Sequence, residues 1–164
     1  MKRAAVFFYS YSGNTRKVAA VLQQELAANY QVDLIELVAL DESASFVRQC
    51  LRSLKKKQAQ IKEDITLDIK GYDLIALGTP VWALGMAPAL RTFINKCGDF
   101  KSKEIIVFAT YGSGVGKEHC MKEMAQSSVL KGAQEVKQFL IQQNDAADEG
   151  KVKSCIKDII SKAR

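Results

Sequence analysis

The sequence predicts an α/β fold, a doubly wound five-stranded parallel sheet with helices on both faces. Short β-rich runs alternate with helical patterns along the whole chain, the organisation of successive βαβ units. Two of the runs, Leu74 to Gly78 and Ile105 to Ala109, are continuously apolar, as strands buried on both faces must be. Segments rich in glycine and hydroxyl residues follow three of the strands, where open parallel sheets bind ligands.

Taken in order, Ala4 to Tyr9 is the first strand; its apolar run is too short for a spanning helix, and no small-residue cleavage site follows it. A helix follows from about Thr15 to Ala28, with Val18, Val21, Leu22 and Leu26 on one face. Val32 to Glu36 is the second strand. Phe46, Val47, Cys50, Leu51 and Leu54 form the apolar stripe of a second helix, and Leu74 to Gly78 is the third strand. Pro88 suits a first helical turn and opens a helix through Leu90, Phe93, Ile94 and Cys97, which Gly98 stops. After the strand Ile105 to Ala109, a shorter helix runs from Gly116 to Gln126 with Met121 and Met124 inward. Glu135 to Ile141 is the fifth strand, and Val152, Cys155, Ile156, Ile159 and Ile160 face inward on the last helix.

The 164 residues, 48% hydrophobic, form one domain over 1–164 with neither linker nor repeat. No apolar stretch reaches the ~18 residues of a membrane span, so the expected location is cytoplasmic. Cys50, Cys97, Cys120 and Cys155 match no redox pair or zinc-ligand spacing, and free thiols are expected, with Cys50, Cys97 and Cys155 on apolar helix faces. The net charge of +6 is local. Arg48, Arg52, Lys55, Lys56, Lys57 and Lys62 occur without an intervening acid, and without them the two signs balance at 18 each. This segment reads as a solvated helix face or as a docking surface for an acidic partner. It lacks the interleaved aromatics of a single-strand nucleic-acid site.

The first loop, Ser10-Tyr11-Ser12-Gly13-Asn14-Thr15, turns a strand into a helix with hydroxyls at three positions and glycine at the bend. Open N–H groups at a helix start carry partial positive charge, and Ser10, Ser12 and Thr15 add donors for phosphate oxygens. The loop supplies no lysine or arginine of its own before Arg16, which favours a monophosphate held by geometry.

This loop resembles the phosphate loop of the flavodoxin family, S/T-x-S/T-G-N-T, at every defined position, and the strand and helix series extends the resemblance over essentially the whole chain. The resemblance implies strand order 2-1-3-4-5, FMN as cofactor at the switch point, and allows a homodimer. It also implies that the second loop, with Thr79, Pro80, Val81, Trp82 and Ala83, flanks the isoalloxazine ring. There an indole offers stacking area and the backbone can bond the polar edge of the flavin. The third loop, with Thr110, Tyr111, Gly112, Ser113 and Gly114, fits neither a Walker A loop nor a dinucleotide fingerprint, and reads as a close backbone approach to the ring. It lacks the acidic residue usual in electron-carrier flavodoxins. The first strand also lacks the acidic pair that receiver domains of this topology need.

None of the three loops contains Asp or Glu, which removes a like-charge penalty on reduced, anionic flavin. The expected function is FMN-dependent redox chemistry, passing electrons or hydride to a small acceptor such as a quinone, with no catalytic side chain or metal assigned. Two other readings are a carrier docking to a protein redox partner and a flavin-free phosphate-ligand domain. His119 reads as a surface residue, and Cys120 lies where a helix N-terminus can lower a thiol pKa.

Overall fold

A computed structural model describes residues 1–40, 48, 55, 58–61 and 67–161. Its sheet is assembled from β1 (Lys2–Phe8), β2 (Tyr30–Glu36), β3 (Leu74–Pro80), β4 (Glu104–Tyr111) and β5 (Val136–Gln142). All pairings are parallel and the strand order is β2-β1-β3-β4-β5, the order expected from the sequence. Four helices are described: α1 (Asn14–Leu26), α2 (Pro88–Lys96), α3 (Lys117–Leu130) and α4 (Glu149–Ser161). The helix expected around Phe46, Val47, Cys50, Leu51 and Leu54 lies outside the described residues, as does most of the basic segment.

Side chains alternate across β1, so one strand feeds two cores. Ala5 and Phe7 join Ile75, Leu77, Ile105 and Val107 beneath α2 and α3, where Phe7 stacks on Phe93 with ring centroids 4.1 Å apart. Ala4, Val6 and Phe8 join Ala76, Ile106 and Phe108 beneath α1 and α4. Both faces of β3 and β4 are therefore covered, which explains why these strands read as unbroken apolar runs.

The helix expected to stop at Gln126 instead continues to Leu130. Ser128 lies within it because its hydroxyl donates to the Met124 carbonyl at 2.9 Å, so the buried oxygen is satisfied without leaving the helix. The same packing completes the next turn: the Lys131 ammonium crosses to the Cys97 carbonyl at the end of α2 at 2.7 Å. Strand boundaries move by one or two residues at their ends, as at Tyr30 and Gln142. No helix among the described residues is long and apolar enough to cross a membrane.

Candidate functional site

The C-terminal ends of β1, β3 and β4 lie side by side, so the three sequence-marked loops converge at the switch point between β1 and β3. They enclose a cleft of about 550 Å³. From the first loop it is lined by Tyr11, Ser12 and Asn14, from the second by Pro80, Val81, Trp82 and Ala83, and from the third by Thr110, Gly112 and Ser113. Ser10, Gly13, Thr15, Thr79, Tyr111 and Gly114 are not among its lining residues.

In the first loop Gly13 takes a left-handed conformation, φ 88°, as the N-cap of α1, and as a glycine it brings no capping side chain of its own. The amides of Asn14 and Thr15 precede the first intrahelical bond, Lys17 N–H to the Gly13 carbonyl at 3.1 Å, and have no helical acceptor. Ser10 accepts the Arg16 amide at 3.2 Å, and the Asn14 side chain donates to the Ser12 hydroxyl at 3.3 Å. Thr15 is buried and its hydroxyl shares a hydrogen bond with that of Thr110. The Arg16 guanidinium makes two bonds to Glu36, at 2.9 and 2.6 Å, and this hydrogen-bonded carboxylate raises its pKa. An anion at this helix start would therefore rest mainly on backbone amides and the α1 dipole.

The second loop begins with Val81 N–H bonded to the Thr110 carbonyl at 2.8 Å, tying it to the third. Trp82 and Gly85 exchange two 2.9 Å backbone bonds around Ala83 and Leu84, both at positive φ, 43° and 74°. Thr79 is fully buried; its hydroxyl accepts the Ala87 amide and donates to the Pro80 carbonyl, each at 2.9 Å. Trp82 is only 4% exposed, with its ring edge-on to Tyr9 and Tyr11 at centroid distances of 5.3 and 5.5 Å. The indole thus forms part of the cleft wall, while Tyr11, 44% exposed, presents the open aromatic surface.

In the third loop the Lys117 ammonium lies 4.6 Å from the centre of the Tyr111 ring. Gly116, the N-cap of α3, has φ 80° and lies against Leu84. Leu84 and Val115, both exposed, and Gln143 also line the cleft; Leu84 lies in the second loop, where it can add apolar cover, while the site residues expected from sequence omit Val115 and Gln143. Gln143 follows β5, whose C-terminal end shares this edge of the sheet, so the strand-end rule extends to it directly. No charged side chain lines the cleft among the described residues.

Cys120 is fully buried, and burial first and the Glu123 carboxylate second push its thiol up to about 12, opposite to a helix-start activation. Burial likewise pushes Cys97 up to about 11. His119 is exposed. The described cysteines Cys97, Cys120 and Cys155 are free.

Fold and cleft define a doubly wound α/β protein with a ligand-sized site at its topological switch point. Residues 3–149 match the family model for flavodoxin, and the chain belongs to the flavodoxin family. Among solved structures, a Bacteroides eggerthii protein proposed to be a flavoprotein is similar at 19% identity, with TM-score 0.74 over 98% of this chain and 99% of that one. Oxidised flavodoxin 2 from Bacillus cereus is 19% identical, with TM-score 0.65 over 98% and 99% of the two chains. An NADH:FMN oxidoreductase in its apo form is 18% identical, with TM-score 0.62 over 96% and 90%. No curated protein matches the chain.

Proposed function

We propose that the protein binds FMN in this cleft and acts as a cytoplasmic oxidoreductase between a small electron donor and a small acceptor such as a quinone. The observation that carries the reading is the pairing of the α1 N-terminus, where the Asn14 and Thr15 amides have no helical acceptor, with an adjoining cleft lined, among the described residues, by neutral side chains. The first offers amide donors to a phosphate. The second offers apolar and aromatic walls to a planar ring, in a volume of about 550 Å³ that falls within the ordinary range for small-molecule sites.

The amides of Asn14 and Thr15, with the Ser12 hydroxyl, would hold the phosphate, and Gly13 lets the backbone approach it. Val81 to Leu84 and Gly112 to Ser113 would flank the ring, where their backbone groups can bond its polar edge. Trp82 and Tyr11 exclude water from one side. When bound, FMN supplies reversible acceptance of a hydride or of electrons, taken from a donor such as NAD(P)H and delivered to the acceptor. The side chains bind and orient; no general acid or base is required of them.

A neutral mouth rimmed by exposed Tyr11, Leu84 and Val115 suits an uncharged planar acceptor better than a charge-steered protein partner. The first test is an absorption and fluorescence titration with FMN, with riboflavin as the phosphate-free control, followed by NAD(P)H turnover with a panel of quinones. Tight FMN binding, weak riboflavin binding and turnover support the reading. Bound flavin reduced only by another protein favours the carrier role, and absence of FMN binding leaves the flavin-free domain.

A further inference from the structure

We infer that Arg91 and Glu123 are a positioning pair that holds the Trp82–Met86 turn in the shape with which it lines the cleft. The inference rests on the FMN reading for its functional consequence, but not for its structural part.

The turn is locally unfavourable. Positive φ at both central residues is the signature of a type I′ hairpin turn, for which asparagine and glycine are the preferred residues. Here the two positions are Ala83 and Leu84, at 43° and 74°. L-residues keep such a conformation only where surrounding contacts over-determine it.

Those contacts converge on Met86, just after the turn. Its N–H donates to Glu123 Oε2 at 3.1 Å, and its carbonyl accepts from Arg91 Nη2 at 3.2 Å. Arg91 in turn donates from Nε and Nη2 to Glu123 Oε1, at 3.1 and 2.9 Å. One buried ion pair, reaching from α2 and α3, thus satisfies both backbone polar groups of a single loop residue. The Arg91 and Glu123 side chains are only 9% and 11% exposed. A buried pair of this kind adds little stability over well-packed apolar residues of similar volume, because desolvation offsets its attraction. What apolar residues cannot do is fix the Met86 amide and carbonyl in direction. Met86 is held on one side of the turn and Leu84 rests against Gly116 on the other, so Ala83 and Leu84 are anchored from both sides.

The test begins without cofactor, by amide hydrogen exchange of the apo protein. The reporter is the Gly85 N–H, which bonds the Trp82 carbonyl across the turn, and Leu77 in β3 serves as the reference. Glu123→Ala is expected to speed exchange at Gly85 by about 10-fold relative to Leu77, since local opening is separable from global unfolding. Glu123→Gln, which keeps an acceptor for the Met86 N–H, recovers most of the protection. Equal acceleration at Gly85 and Leu77 makes the pair merely structural and overturns the inference.

The second arm measures FMN affinity in a coupled cycle. Glu123→Ala weakens binding by about 10-fold in the native turn, and by less than about 3-fold where Ala83→Asn and Leu84→Gly give the turn residues that need no holding. The same fold-loss in both backgrounds overturns the inference. If the unaltered protein does not bind FMN, the cofactor reading fails, and the exchange comparison alone decides whether the pair holds the turn.

Discussion

Thr15 and Thr110 join the first and third loops through a buried hydrogen bond of 2.8 Å between their hydroxyls. They are 1% and 4% exposed, so water cannot replace either partner. Thr110→Val keeps the shape but strands the Thr15 hydroxyl, which should destabilise the protein by about 1–3 kcal/mol. The double variant Thr15→Val/Thr110→Val removes both polar groups and should regain much of that loss. Urea denaturation of the wild type, Thr15→Val, Thr110→Val and the double variant measures the difference; a double variant no better than the sum of the singles refutes the coupling.

Gly116 and Leu84 make a second contact between the second and third loops, beside the Val81–Thr110 hydrogen bond. A Cβ at Gly116 would fall 2.6 Å from the Leu84 Cα and 2.5 Å from its Cδ2, at a φ of 80° that L-residues rarely adopt. Gly116→Ala should destabilise the fold by about 1–3 kcal/mol through overpacking and backbone strain together. Because the displaced backbone lines the cleft, FMN affinity should fall as well. Thermal unfolding and a flavin titration of the same variant check both, and unchanged affinity would mean that the two loops adjust independently.

The buried thiols set a pH dependence. Cys120 is raised from an ordinary 9.0 to about 12, and Cys97 to about 11, both chiefly by burial. Above pH 9 the unfolded chain releases these protons while the folded protein retains them, so this contribution is fully present below pH 9 and is lost as pH rises through the folded values. Chemical denaturation between pH 8 and 11 should show declining stability, with a shallower decline in Cys120→Ala. In the native protein at pH 8, a thiol-alkylating reagent should modify partly exposed Cys155 well before Cys97 or Cys120.

The neutral cleft has a redox consequence. With no carboxylate lining it among the described residues, a reduced anionic flavin bound there would meet no adjacent like charge from them, and its reduction potential should be less negative than in acidic flavodoxins. Ser113→Asp puts a carboxylate on the wall and should lower the potential of the anion-forming couple by about 1 kcal/mol, or roughly 40 mV for one electron. Spectroelectrochemistry of the FMN-loaded proteins reads the shift; identical potentials would remove the charge argument.

Much of this architecture is legible along the chain because its signals are local or periodic. The apolar runs Leu74 to Gly78 and Ile105 to Ala109 become the central strands β3 and β4 through burial on both faces, and Pro88 opens α2 at the residue where its ring is tolerated. The end of α3 is less legible. The periodic pattern ends at Gln126, yet the helix runs on to Leu130, where the Ser128 hydroxyl bonds the Met124 carbonyl and Lys131 crosses to the end of α2. Val115 and Gln143 belong to the cleft by position alone, and no motif marks them.

The sequence by itself determined the order of strands and helices and the three loops that meet at one edge of the sheet, since hydrophobic period and turn chemistry act within a few residues. Only the tertiary structure decided which groups face the cleft. Thr15 and Thr79 carry the same hydroxyl as any loop threonine, but Thr110 and the Ala87 amide occupy theirs from across the fold. Trp82 is walled in by Tyr9 and Tyr11, and Glu123, on a helix 37 residues away, reaches the amide of Met86. Burial and hydrogen-bond pairing are properties of neighbours in space, and those neighbours exist only once the chain has closed on itself.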